Sequence, residues 1–122
     1  MIAAARNNNC QIIISMHDFK ETPGLENLIK IMEQQREQGA DMGKIVTTAQ
    51  SLEDCHTVLA LLLEAKAIGF PLVAFAMGRT GKITRLMSLF YGAPFTYVSV
   101  GESVAPGQID IRKMKKLLKE LK

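Results

Sequence analysis

The 122-residue chain contains no tryptophan and only 6% aromatic residues. Single-stranded nucleic acid binds by stacking its bases on aromatic rings interleaved with cations, so a base-stacking platform has no support here. Excess charge is also scarce. The net +3 comes largely from the stretch 112–122, where basic residues flank an apolar stripe as on the solvated face of a helix. No nucleic-acid partner is expected. Cysteine is limited to Cys10 and Cys55, in different predicted elements and without CxxC spacing, which excludes a disulfide framework and a zinc site. Both read as small buried apolar residues. Long apolar runs are missing as well: stretches such as 58–63 are far too short to cross a bilayer, and no membrane partner is expected. The first residues form neither a basic leader nor an apolar h-region, so a cytoplasmic location is the expectation.

What is present fits one globular domain over 1–122. The hydrophobic fraction is 48% and the charged fraction 22%, and a chain of this length buries roughly two thirds of its unfolded surface. Four β-like runs recur, at 11–16, 43–48, 71–77 and 95–100, each followed by a helical pattern. After the first run, Leu25, Leu28, Ile29 and Met32 share one helical face, with Thr22 placed as N-cap, Pro23 at the first helical position and Gly39 as the stop. The second helix begins at Ser51, with Asp54 three residues on as a variant capping box, and runs through Val58, Leu61 and Leu62 to Gly69. A third is predicted from about Lys82 to Tyr91, ahead of Gly92 and Pro94. The last places Met114, Leu117, Leu118 and Leu121 on one face.

Strands separated by single helices cannot pair as hairpins. The class is therefore α/β, with a parallel sheet and right-handed crossovers, and runs such as Ile12-Ile13-Ile14 suit burial on both faces. Residues 2–6 read as the tail of a helix that lacks the strand before it. Four βα units are half of a (β/α)8 TIM barrel, which closes at roughly 250 residues. Such a half leaves unpaired edges and an apolar concave face, so completion by self-association, by a partner chain or by rearrangement to a two-sided open sheet is expected.

Several residues could carry chemistry. Side chains alternate along a strand, so Lys44, Val46 and Thr48 share one face of the second run, and Ile45 and Thr47 take the other. On the inside of a barrel Lys44 would be desolvated, which favours the neutral amine that attacks a ketone; the alternative is a strand-entry lysine that snorkels to solvent or pairs with Asp41. His17 closes the first run, at the end of the sheet where barrels place their catalysts, and suits proton transfer. Alone, a capping or core histidine is the other reading. His56, inside a helix, reads as structural. Met77-Gly78-Arg79-Thr80-Gly81-Lys82 does not have phosphate-loop spacing, although its glycines allow a tight turn whose amides could meet an anion. Arg85 follows in the next helix, either gripping a carboxylate with two parallel hydrogen bonds or forming an exposed salt bridge. Ala105-Pro106-Gly107-Gln108 brings an amide side chain to the same end of the sheet.

Four ordered segments together resemble the C-terminal half of type I 3-dehydroquinate dehydratase. They are Ile14-Ser15-Met16-His17-Asp18-Phe19 with Thr22-Pro23; Gly39-Ala40-Asp41-Met42-Gly43-Lys44-Ile45; Met77-Gly78-Arg79-Thr80-Gly81 with Thr84-Arg85; and Ala105-Pro106-Gly107-Gln108. The resemblance implies a Schiff-base hydro-lyase of the shikimate pathway, converting 3-dehydroquinate to 3-dehydroshikimate and water. It implies Lys44 as the imine-forming amine, His17 as the general acid and base, Arg85 as the carboxylate ligand and Gln108 as part of a loop closing over the substrate. No metal or organic cofactor is implied. Val104 stands where the family often has serine. The family's N-terminal half supplies an arginine, acidic substrate ligands and a glutamate that pairs with the histidine, and none of these maps onto this chain. The implied partners are the substrate and either a second copy or a complementary half-barrel. A non-catalytic assembly module is the alternative reading, and an aldolase acting on another keto substrate is a third.

Overall fold

The computed structural model describes residues 11–96. Three βα units follow one another: β1 (Ile13–His17), α1 (Leu25–Glu37), β2 (Met42–Thr48), α2 (Leu52–Ile68), β3 (Leu72–Met77) and α3 (Lys82–Phe90). The strands form one parallel sheet in the order β1-β2-β3, as expected for strands joined only through helices. Of the fourth predicted run, residues 95 and 96 are described and are not in a strand. The rest of it lies outside the described residues, as do the 2–6 helix tail, the last helix, Cys10, Val104 and Gln108.

Cα partners across the sheet are Ser15, Lys44 and Val73 in one row, and His17, Val46 and Phe75 in the row two residues further on. Neighbours in a parallel sheet point the same way, so these six side chains share one face. Opposite them, Ile45, Ala74 and Ala76 pack with Leu28 and Met32 of α1 and with Val58, Leu61 and Leu62 of α2 in the main core. Val46, Val73 and Phe75 form a smaller cluster on the first face. Leu28, Leu61 and Ala74 have no exposed surface, and burying each of the two leucines contributes on the order of 2 kcal/mol of transfer free energy.

The two-sided burial expected of the first run is not found. Ile13 is 53% exposed, and Ser15 and His17 are exposed with it, while Ile14 and Met16 on the other face are partly buried. The cause is position: β1 is an edge strand among the described residues, whereas β3 is buried on both faces as far as Ala76.

Helix boundaries follow local chemistry where that chemistry is local. Ser51 caps α2, its side chain accepting from the Asp54 N–H, and the Asp54 carboxylate accepts from the Gln50 N–H. At the other end Gly69 takes φ 70°, a left-handed conformation that costs other residues about 1 kcal/mol or more. The start of α1 differs from expectation. Its N-cap is Gly24, without a side-chain cap, because the Thr22 hydroxyl bonds the Thr47 hydroxyl and the Thr48 carbonyl, each at 2.9 Å.

Candidate active site

Lys44 and His17 lie on the same face of adjoining strands, one row apart. Strand spacing and rise place their Cα atoms about 8 Å apart, within reach of the long lysine stem. Lys44 is half-buried. The enclosure expected of a barrel interior is incomplete, since the β1 residues beside Lys44 on that face are exposed. His17 has a pKa held below its usual value, first by desolvation and second by the positive charge of Lys44. The neutral imidazole, the form able to accept a proton, therefore predominates at neutral pH.

The segment after His17 is strapped to the end of β2. Asp18 N–H donates to the Val46 carbonyl at 2.8 Å, Thr48 Oγ1 donates to the Asp18 carbonyl at 3.0 Å, and Gln50 Nε2 donates to the Lys20 carbonyl at 2.9 Å. The Asp18 carboxylate accepts the Lys20 and Glu21 N–H groups, each at 2.9 Å, which lowers its pKa. Phe19, 73% exposed, stacks on the His17 ring with centroids 5.9 Å apart and planes 11° from parallel. These hydrogen bonds hold the backbone that follows His17 against the end of β2. Beneath Lys44, the buried Gln35 donates to the Lys44 carbonyl from Nε2 at 3.3 Å.

Arg85 completes the row on the far side. It is 2% exposed, with its guanidinium carbon 4.0 Å from the centroid of the Phe75 ring, a cation–π arrangement. An exposed salt-bridging arginine is thereby excluded. Burial lowers its pKa somewhat, yet a guanidinium stays charged at neutral pH. The His17 and Phe75 Cα atoms are separated by two strand spacings, about 10 Å, and the Arg85 guanidinium lies over the Phe75 ring at the far end of that row. In the 78–81 turn Gly78 takes φ 91° and Gly81 is packed against β3. Cys55 is buried as expected, its thiol donating to the Thr80 carbonyl at 3.3 Å and its pKa raised chiefly by burial. His56 is exposed on α2. Among the described residues no cluster of histidine, cysteine and acidic side chains could hold a metal ion, and no helix is long and apolar enough to cross a membrane.

Sequence reading assigned no role to Phe19, Gln35 or Phe75. The period-two alternation of β3 carried a signal for Phe75, which must share a face with Val73. Nothing local marked Gln35, whose partner lies in another element.

Comparison with known proteins agrees with the parallel α/β architecture. The family model described as Type I 3-dehydroquinase matches residues 1–122. A 3-dehydroquinate dehydratase of Methanococcus maripaludis (strain C7) is 41% identical over 114 residues, covering 93% of this chain and 50% of that protein. The crystal structure of 3-dehydroquinate dehydratase from Geobacillus kaustophilus HTA426 superposes with a TM-score of 0.90 at 33% identity, over 98% of this chain and 48% of that one. A type I enzyme from Clostridium difficile, solved with covalently modified comenic acid, gives 0.89 at 30% identity, again over 98% and 48%. The chain spans about half the length of the curated relatives it matches. With a matching family model over its whole length and parallel strands that place a lysine and a histidine side by side, the chain belongs to the type I 3-dehydroquinase family.

Proposed function

We propose that this chain carries the imine-forming and proton-transfer groups of a 3-dehydroquinate dehydratase. The observation that supports it best is the shared face of Lys44 and His17 on adjacent parallel strands, with the buried Arg85 guanidinium at the end of the same row. The neutral Lys44 amine attacks the C3 ketone of 3-dehydroquinate and expels water to give a protonated imine, a stronger electron sink than the ketone. Neutral His17 removes a C2 proton, and the electron pair passes into the enamine. His17 then returns its proton to the departing C1 hydroxyl, which leaves as water. Hydrolysis of the imine frees 3-dehydroshikimate and Lys44, so the net change is loss of one water. Arg85 binds the ring carboxylate through two hydrogen bonds, and Gln108, outside the described residues, is the candidate ligand for the substrate hydroxyls.

Borohydride trapping tests this reading. Reduction in the presence of 3-dehydroquinate should add the mass of the reduced substrate to the intact chain. No adduct on the wild type, or one that survives Lys44→Ala, would refute it.

The open face of β1 supports a second reading. We infer that the exposed Ile13, Ser15 and His17 side chains and the β1 edge, unpaired among the described residues, are completed into a (β/α)8 barrel by a second copy or a complementary half, with or without turnover. Sedimentation at micromolar concentration should then show a dimer or a complex; a well-behaved monomer that trapped no complementary half would count against it.

A further inference from the structure

We propose that Thr84 is the positioning residue that holds Arg85 over the sheet, a role that rests on the carboxylate-binding function proposed for Arg85 above. Thr84 has no exposed surface. Its hydroxyl accepts from the Ala76 N–H at 2.8 Å and donates to the Gly81 carbonyl at 2.6 Å, with the Ala76 carbonyl 3.4 Å away. The Ala76 amide takes no part in pairing with β2. Gly43 N–H bonds to the Pro71 carbonyl and Ala49 N–H to the Met77 carbonyl, which turns the alternate peptide groups, including that of Ala76, toward the other edge of β3. One hydroxyl thus joins the β3 edge, the 78–81 turn and the first turn of α3.

The joint is tight. A β-carbon on Gly81 would lie 2.7 Å from the Ala76 carbonyl carbon and 2.8 Å from the Met77 oxygen. Successive helical side chains are rotated by about 100°, so anchoring Thr84 to the strand edge also sets the direction of Arg85, which emerges over the Phe75 ring. Two-pronged recognition of a carboxylate requires a guanidinium of fixed plane. Phe75 supplies the stacking surface and Thr84 the anchor. Without the hydroxyl, the Ala76 N–H and the Gly81 carbonyl each lose this partner, and the first turn of α3 is free to shift.

The test compares Thr84→Val, which keeps the shape and removes the hydroxyl, with Thr84→Ser, which keeps the hydroxyl. In the wild-type chain the Arg85 side-chain resonances should be displaced upfield by the Phe75 ring current. Thr84→Val, shown to be folded by circular dichroism, should lose that displacement, and Thr84→Ser should retain it. In borohydride trapping, the half-saturating concentration of 3-dehydroquinate should rise on the order of ten- to a hundredfold in Thr84→Val and recover in Thr84→Ser, while trapping of cyclohexanone, which has no carboxylate, stays unchanged. A folded Thr84→Val with an unaltered Arg85 signature would overturn the proposal. Should Thr84→Val not fold, Thr84→Ala gives the same comparison, and rapid exchange of the Ala76 amide in the wild-type chain would overturn the anchor directly. A wild type that traps no substrate would sink the imine reading alone, since the resonance shift still decides the role of Thr84.

Discussion

Gly81→Ala sets two opposing effects against each other at one position. Gly81 has φ −81° and ψ −6°, a helical conformation open to any residue. On backbone grounds alone alanine should therefore stabilise the chain, by about 0.4–1 kcal/mol, through a less flexible unfolded state. Sterics act the other way. The added methyl group would meet the Ala76 carbonyl carbon at 2.7 Å and the Met77 oxygen at 2.8 Å, and both are backbone atoms at the end of a strand paired with β2, unable to rotate aside. Overpacking of this kind costs about 1–3 kcal/mol. The net expectation is a loss of about 1–2 kcal/mol, or a fall in Tm of about 5–10 °C for a chain of this size. Thermal melting followed by circular dichroism measures it against the wild type. A Gly81→Ala chain that melts at or above the wild-type temperature would show that the turn is not pressed onto β3, and the anchoring argument for Arg85 would fall with it.

Two further glycines separate the contributions. Gly69→Ala meets no atom within 4 Å but must adopt φ 70°, so it should lose about 1 kcal/mol through backbone strain alone, read from its denaturant midpoint at unchanged m-value. Gly24→Ser also has open space around it and an extended backbone at the N-cap of α1, so it should gain about 0.5–1 kcal/mol and raise the Tm. The lowered pKa of His17 means that the unfolded chain binds its proton first. Stability should fall as pH drops from about 6.5 through the folded-state pKa, and His17→Gln should flatten that part of the pH–stability curve. Lys44→Met should raise the His17 pKa only part of the way back in an NMR titration, because burial is the larger cause; full recovery would reverse that order.

Much of the architecture was legible because its causes are local. Ser51 with Asp54, the left-handed Gly69 and the alternation that puts Lys44 with Val46 all act within a few residues, and each stands where the pattern placed it. What the pattern misplaced depends on distant partners. Thr22 has the chemistry of an N-cap, but its hydroxyl is taken by Thr47 and Thr48, 25 and 26 residues away. Ile13 looks like an interior residue, and only its place at the sheet edge exposes it. By residue type Arg85 was a candidate carboxylate ligand or an exposed salt-bridging arginine; that it is buried and stacked on Phe75 depends on how α3 docks, which no local spacing records. Gln35 and Phe75 were the least visible, because each acts on a neighbour from another element.

The Thr84 hydroxyl has one more consequence, for whatever lies beside β3. An amide already donating to a side chain is lost as a rung to a flanking strand, so backbone pairing along that margin must forgo a rung at Ala76. A neighbouring strand would have to diverge from β3 at that level.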